Sequence, residues 1–146
     1  MLRKISKTLC LLAVILCLSG CSKTKKPDGL PDLYPCHVKV TINNEPLKGA
    51  AVSLSGNDGR WPGNGITDQQ GIAVIRTRGQ FVGVAEGTYK VTVSKMLSPP
   101  STGKDEGSTE EPKPLVNPKY ATPTTTPLEC VVKSGTNNFE FKVEEP

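Results

Sequence analysis

Five cysteines and one histidine are the residues of this 146-residue chain that are best suited to chemistry. Cys36 and His37 are adjacent, and a thiol beside an imidazole is a pairing used in nucleophilic catalysis. Both stand in a segment of alternating residues, where neighbouring side chains point to opposite faces of a strand, so the imidazole does not reach the thiol. His37 is the only histidine and no CxxC pair is present, which disfavours a zinc site. We therefore expect no catalytic residue, no metal and no cofactor.

The first twenty residues are typical of an export signal. Residues 1–7 carry basic side chains, the run 8–18 is almost wholly apolar, and the small residues Ser19 and Gly20 follow it. The apolar run is about half of the ~20 residues that a helix needs to cross a bilayer, so a permanent span is not expected. A buried core helix is the alternative, but the polar segment after it offers nothing to pack against.

The stretch Leu18-Ser19-Gly20-Cys21 resembles the lipobox of bacterial lipoproteins. This resemblance implies cleavage before Cys21, attachment of a diacylglycerol to its sulfur and acylation of its new amine. Acyl chains contribute roughly 0.8 kcal/mol per buried methylene, and stable anchoring takes two or more of them. The expected location is therefore extracytoplasmic, on a lipid anchor in the cell membrane or an outer membrane, on the periplasmic or surface side.

Cys36 and Cys130 are the cysteines that remain once the signal is removed and Cys21 is acylated. Disulfides persist outside the cytoplasm. Cys36 shares a strand face with Val38, and Cys130 shares one with Leu128, so both thiols are expected to point into the core. We favour a bridge between them. Two separate buried thiols that act as small hydrophobic side chains are the alternative.

The glycine-rich loop 56–65 contains Arg60 and Trp61, the only tryptophan of the chain. An exposed indole at this place could stack on a sugar or anchor a protein partner. The alternative, which we favour, is a lid that packs over the open end of the fold. The loop lacks the Lys-Ser/Thr of a P-loop and no helix follows it, so phosphate binding of that kind is not expected.

The elements that must position these residues are β-strands. Alternating apolar and polar residues in 37–42 and 86–95, a last strand with Phe139, Phe141 and Val143 on one face, and turn residues between shorter extended pieces favour an antiparallel sandwich. The side chains expected to face its core are Val38, Val40, Ile42, Val52, Leu54, Tyr89, Val91, Val93, Leu128, Cys130, Val132, Phe139, Phe141 and Val143.

Two segments lack this alternation. Residues 21–35 are rich in lysine and proline and are expected to form a tether between the lipidated cysteine and a domain over 36–145. Residues 97–114 are rich in proline, serine, threonine and charge, and we expect a disordered loop at about 98–113.

The domain also carries a series of short motifs in a fixed order. These are Glu45-Pro46-Leu47-Lys48-Gly49-Ala50, Gly65-Ile66-Thr67-Asp68 with Gly71, Gly87-Thr88-Tyr89-Lys90-Val91-Thr92-Val93 and Asn138-Phe139-Glu140-Phe141. Their order over residues 37–144 resembles the carboxypeptidase-regulatory-like domain, which is transthyretin-like (prealbumin-like). The resemblance implies an all-β, seven-stranded antiparallel Greek-key sandwich of transthyretin-like or Ig-like layout, usually without catalytic residues.

Several motif residues have physical roles in such a fold. Gly49 permits a backbone conformation that is closed to bulkier residues. Asp68 can accept backbone N–H bonds in a turn that ends at Gly71. Tyr89 is expected to bury its ring while its hydroxyl finds a partner at the edge of the sandwich.

The charge balance disfavours nucleic acid as a partner. Removal of residues 1–20 takes away three basic residues and no acidic one, which leaves 15 basic against 14 acidic residues. We expect a lipid-anchored sandwich with a non-catalytic structural or interaction role at the cell envelope, and an envelope protein or a polysaccharide as its partner. A carbohydrate-binding surface lipoprotein that uses the Trp61 loop is the alternative.

Overall fold

The computed structural model describes residues 26–56, 58–97 and 111–146. These residues form an all-β fold with a single turn of 3-10 helix at Pro118–Tyr120. Cys21, the predicted anchor, lies outside the described residues, as does the predicted signal. The strands are β1 Cys36–Ile42, β2 Glu45–Pro46, β3 Ala51–Gly56, β4 Gly63–Ile66, β5 Ile72–Val74, β6 Arg76–Thr77, β7 Phe81–Val82, β8 Gly87–Ser94, β9 Met96–Leu97, β10 Lys113–Pro114, β11 Glu129–Val132 and β12 Asn137–Val143.

Most of these strands belong to two sheets. In the first sheet, β1 is flanked by β12 on one side, and it pairs with β2 and with β5 on the other. The second sheet has the order β11-β8-β3-β4-β6-β7, and all its neighbouring strands are antiparallel. Because one hydrophobic cluster contains inward-facing residues of both sheets, the arrangement is sandwich-like.

One strand pair departs from the antiparallel arrangement that the sequence predicts. β1 and β12 run parallel, with Cys36 opposite Asn137 and Ile42 opposite Val143. These two strands lie far apart in the chain, so no hairpin turn sets their relative direction. The prediction of a purely antiparallel sandwich is therefore wrong for the first sheet.

The alternation of apolar and polar residues identified the core correctly. Val38, Val40 and Leu54 have no exposed surface, and Val91 on β8 is equally enclosed. Phe139 and Phe141 face the same core but are only partly buried, because β12 is the edge strand of its sheet. Burial of each such aliphatic side chain contributes roughly 1.5–3 kcal/mol.

The compact unit begins at Pro31, earlier than the predicted domain boundary. Tyr34 forms an isolated antiparallel bridge with Val84, through N–O distances of 2.8 and 3.1 Å. The carbonyl of Pro35 accepts the N–H of Asn137. Residues 31–35, which the sequence analysis gave to the tether, are thus tied to the sheets. The separate preceding unit contributes a described turn in which Leu30 N donates to Pro27 O.

The second predicted irregular segment is bounded by a short ribbon. β9 and β10 pair antiparallel, with Leu97 opposite Lys113 and Met96 opposite Pro114. Lys113, which was expected to lie in the disordered loop, is therefore in a strand. The rest of that predicted loop, up to residue 110, lies outside the described residues.

The turn before β5 has the structure that its residues predict. Asp68 Oδ1 accepts the N–H groups of Gln70 and Ile72, each at 2.9 Å. Gly71 has a φ of +76°, and Gly49 in the turn before β3 has a φ of +70°. Both glycines take the left-handed conformation that side chains disfavour. The expected roles of Asp68, Gly71 and Gly49 are confirmed.

Thr67, which follows β4, forms hydrogen bonds with the turn before β3. Its hydroxyl accepts the N–H of Ala50 at 2.8 Å and donates to the carbonyl of Leu47, and the residue is 3% exposed. Replacement by valine keeps the shape but leaves the N–H of buried Ala50 unpaired. We expect Thr67→Val to lower the free energy of unfolding by about 1–3 kcal/mol, measured by urea denaturation.

Thr88→Val is the matched control for this prediction, since Thr88 is exposed on β8. Its expected change is within about 0.5 kcal/mol. Equal losses for the two variants would contradict a structural role for the Thr67 hydroxyl.

Candidate functional site

The two predicted core thiols lie in different sheets and face the same hydrophobic cluster. Cys36 on β1 is fully buried and Cys130 on β11 is 5% exposed. Burial raises the pKa of Cys36 to about 11. Burial, followed by the charges of Cys36 and Glu129, raises the pKa of Cys130 to about 12. Both side chains are therefore protonated thiols at neutral pH and poor nucleophiles.

Both cysteines are free in the structure. The bridge that the sequence analysis favours is thus not formed here, and it remains a prediction for the oxidised chain. The observed state corresponds to the alternative of two buried thiols that pack as small hydrophobic side chains.

His37 lies on the outer face of the first sheet, opposite in direction to Cys36. It borders a shallow depression of about 270 Å³ together with Lys39, Glu140 and their neighbours. Lys39 Nζ lies 3.3 Å from a carboxylate oxygen of Glu140, with both side chains largely solvated. An ion pair this exposed contributes little to stability. The imidazole of His37 faces away from the Cys36 thiol and does not serve as its base.

Trp61 lies in the loop between β3 and β4 and is half-buried. The guanidinium carbon of Arg78 lies 4.7 Å from the centre of the indole ring, a cation–π contact. Among the described residues, Trp61 is not one of the partly buried hydrophobic side chains that pack on the core. The contact with Arg78 orients the ring, and the lid over the open end of the fold stays a prediction.

Arg60 precedes Trp61, and its backbone N–H donates to Asp58 Oδ1 at 3.3 Å. Its side chain is exposed. The carboxylate of Asp58 lies in the same loop and offsets part of the positive charge of Arg60. Arg60 and Trp61, the predicted binding residues, thus stand together at the start of β4.

Two further arginines belong to β6, the strand that pairs with β4, and to the turn after it. Asn64 is opposite Arg76, and Gly63 is opposite Thr77. Thr77 is fully buried, so its strand neighbour Arg76 points away from the core. Arg78 begins the turn after β6 with a φ of +53° and is also exposed. Arg76 Nη1 donates to the carbonyl of Gln80 in the following turn at 3.5 Å. We call the set Arg60, Trp61, Arg76 and Arg78 the arginine corner.

A row of polar side chains leads from this corner across the outer face of the second sheet. Strand pairing aligns Thr92 on β8, Ser53 on β3, Asn64 on β4 and Arg76 on β6. We call these four residues the polar row. Ser53 Oγ donates to Asn64 Oδ1, and Thr92 Oγ1 donates to the backbone carbonyl of Ser53. With its oxygen taken by Ser53, Asn64 presents its amide nitrogen as the donor to solvent.

The polar row forms the floor of a groove. The groove has a volume of about 450 Å³, and it reaches from Ser94 and Ala51 at one end to Arg76 and Gly79 at the other. Ile66, which is 71% exposed, adds an apolar contact to the lining. Small side chains along β3 leave the floor open to a ligand.

Sequence reasoning found Arg60 and Trp61 but missed Arg76, Arg78 and the polar row. The signal for the two arginines was local, since both are polar residues next to the turn at Gly79 and are expected to be exposed. The row left no such signal. Its members come from four strands, and only the pairing register brings them together.

Comparisons of the chain with family models, with curated proteins and with solved structures found no match. No helix within residues 26–56, 58–97 and 111–146 is long and apolar enough to cross a bilayer. The described part of the chain also contains no group of three or more His, Cys, Asp or Glu residues able to hold a metal ion. The fold and the surface define an all-β domain with a groove that has Arg76 at one end.

Proposed function

We propose that this chain is a lipid-anchored, extracytoplasmic β-sandwich with a non-catalytic interaction role at the cell envelope. The anchor is carried by one observation, the placement of Leu18-Ser19-Gly20-Cys21 directly after a basic start and a short apolar run. The arginine corner and the groove supply the binding surface. Since the two core thiols are buried and protonated, they are suited to packing rather than to nucleophilic chemistry.

The finer fold in this proposal is a seven-stranded Greek-key sandwich of the carboxypeptidase-regulatory-like, transthyretin-like type. The order of the short motifs from Glu45 to Phe141 supports it. Tyr89 of the third motif supports it as well, because its ring is buried and its hydroxyl donates to the carbonyl of Ala85 at 3.0 Å.

Carbohydrate binding through the Trp61 loop is the second candidate function. The observation that favours it is the single tryptophan in contact with Arg78, which directly precedes Gly79 at the end of a groove floored by hydroxyl and amide groups. Sugar rings offer both an apolar face for stacking and hydroxyls for hydrogen bonds, so such a surface suits them.

Metabolic labelling with palmitate tests the anchor. We expect the full chain to incorporate label, and the mature protein to begin at Cys21 with the mass of its acyl chains added. Cys21→Ser is expected to abolish labelling almost completely, because the sulfur that forms the thioether is gone. Intact mass is the second measurement. It reports acylation directly, even if an uncleaved signal keeps the Cys21→Ser variant in the membrane.

Cys17→Ser is the matched control, because it removes a thiol four residues earlier and leaves the lipobox unchanged. It is expected to label like the unaltered chain. Labelling that survives in Cys21→Ser, or a mature protein without added acyl mass, would overturn the anchor.

A further inference from the structure

We propose that the arginine corner and the polar row bind an acidic polysaccharide whose repeating sugars carry carboxylate groups. The inference rests on the binding role proposed above and names the chemistry of the ligand. Four observations support it. They are the presence of arginine rather than lysine, the contact between Trp61 and Arg78, the hydrogen-bonding groups of the polar row, and the shape of the groove.

Arginine is concentrated in this corner. Arg60, Arg76 and Arg78 are the only arginines after residue 20, whereas lysines are spread along the chain. A guanidinium group presents its N–H donors in a planar fork that matches a carboxylate in two parallel hydrogen bonds, which an ammonium group does not do. The corner thus favours bidentate recognition of an oxyanion over a general attraction for negative charge. Phosphate matches the same fork, so the choice of carboxylate rests on the groove beside Arg76.

Trp61 gives the corner an aromatic surface in a fixed orientation. Its contact with Arg78 orders both side chains before a ligand arrives, which lowers the entropic cost of binding. An amphipathic indole beside a cation suits a ring that has an apolar face and an acidic substituent.

The polar row extends this recognition away from the charges. Neighbouring strands are about 4.8 Å apart, so the row presents a polar side chain at regular short intervals across four strands. Asn64 offers N–H donors and Ser53 offers a hydroxyl oxygen. Thr92 closes the row at its inner end, because it is only 8% exposed and its hydroxyl points to the carbonyl of Ser53. A chain of sugars presents hydroxyls repeatedly along its length and can engage such a row at successive points.

The shape of the groove distinguishes an extended polymer from a single anionic group. The groove is open and crosses four strands, with Arg76 and Gly79 at one end and Ser94 with Ala51 at the other. Arg78, which contacts Trp61, directly precedes Gly79. A lone phosphate or a lipid headgroup would use the arginine end alone. A polymer uses the full length, which includes the exposed side chain of Ile66.

Titration of the full-length protein in detergent with polygalacturonate tests this inference. Trp61 is the only tryptophan, so its fluorescence reports the arginine corner directly. Fully methyl-esterified polygalacturonate is the matched neutral polymer, because it keeps the sugar rings and loses the charges. Two further ligands are titrated separately. One is inorganic phosphate, and the other is phosphatidylglycerol in vesicles.

We expect saturable binding of polygalacturonate, at least tenfold weaker binding of its methyl ester, and affinity that falls as salt rises. Arg76→Gln and Arg78→Gln are each expected to weaken binding about tenfold. Lys133→Gln removes an exposed charge that follows β11 and is the matched control, with no expected effect. Circular dichroism checks that each variant is folded, and Arg60→Gln replaces any variant that is not.

The other outcomes overturn the inference in distinguishable ways. Equal binding of the ester removes carboxylate recognition but leaves carbohydrate binding in place. Binding of vesicles or phosphate that depends on the same arginines, without binding of polygalacturonate, assigns the corner to phosphate groups. Absence of all binding by the folded chain removes the site altogether, while palmitate labelling of Cys21 decides separately whether the proposed anchor stands.

Discussion

Gly71→Ala is expected to lower the free energy of unfolding by about 4 kcal/mol, a large part of the 5–15 kcal/mol typical of a domain. Two effects combine in this loss. With a φ of +76°, any side chain at position 71 is strained by about 1–2 kcal/mol. In addition, the new Cβ would lie 2.6 Å from the carbonyl oxygen of Val40 and 3.1 Å from the backbone nitrogen of Leu47.

The clash is costly because it involves backbone atoms that already form hydrogen bonds. Val40 N donates to Gly71 O at 2.8 Å, and Leu47 N donates to Val40 O at 2.9 Å. Movement of the Val40 carbonyl away from a methyl group therefore disturbs the contact between β1 and the turn that follows β2. No flexible side-chain end is available to yield instead.

Gly49→Ala separates the two effects. Gly49 has a similar φ of +70°, but a Cβ placed there meets nothing within 4 Å. Its expected loss is about 1–2 kcal/mol, from backbone strain alone. Urea denaturation of both full-length variants gives the difference, which we expect to be at least about 2 kcal/mol. Equal losses would show that the structure around Val40 relaxes at no cost.

The second large effect is a loss of stability at alkaline pH that depends on the core thiols. Burial raises the pKa of Cys36 from its ordinary 9.0 to about 11, and that of Cys130 to about 12. Below pH 9 the thiols keep their protons in both the folded and the unfolded chain, so their contribution to stability is fully present. Between pH 9 and 11 the unfolded chain releases protons that the folded chain retains, so the free energy of unfolding falls.

At about pH 10.5, in the presence of a reductant, this loss amounts to about 2 kcal/mol per thiol relative to neutral pH. The measurement is urea denaturation at both pH values. Tyr89 contributes in the same direction, because burial, followed by the charges of Asp58 and the two cysteines, raises its pKa as well. The double variant Cys36→Ala, Cys130→Ala keeps this tyrosine and removes the thiols.

The alanines create cavities that lower the free energy of unfolding at both pH values. The difference between the two pH values within each protein therefore reports the thiols alone. We expect the loss to shrink by about 4 kcal/mol in the double variant. An unchanged loss would show that the thiols reach solvent easily in the folded chain.

The same experiment without reductant tests the bridge. If Cys36 and Cys130 bond, no thiol remains to titrate, the alkaline loss attributed to them disappears and the intact mass falls by two hydrogens. The bridge would close a loop of about 95 residues, worth at most roughly 4–5 kcal/mol in the chain-entropy view. A mass that stays at the reduced value after oxidation would identify the pair as permanent thiols.

The core was accessible to prediction because strand geometry is local. Side chains alternate between the two faces of a strand, so the apolar positions of 36–42 and 87–94 could be assigned to the core without knowledge of any partner strand. Turns are local for the same reason. The carboxylate of Asp68 bonds residues two and four positions ahead, and Gly71 is needed for the backbone angle at its own position.

The domain boundary and the strand directions were less accessible. Tyr34 lies in a proline-rich segment without alternation, and its bridge to Val84 depends on a residue fifty positions later in the chain. The parallel pairing of β1 and β12 likewise joins the two ends of the domain. Sequence patterns carry little information on contacts at such separations, because no turn connects the strands concerned.

The sequence by itself determined the all-β class, the inward-facing residues and the special positions of the turns, since each depends on neighbours a few residues apart. The export signal and the lipobox were also drawn from the sequence, and they stay proposals. Only the tertiary structure decided which polar groups share a surface. Thr92, Ser53, Asn64 and Arg76 come from separate strands, and the register of three strand pairs aligns them. Trp61 and Arg78 meet because β4 pairs with β6, which is the physical reason that the arginine corner could not be derived from the loop alone.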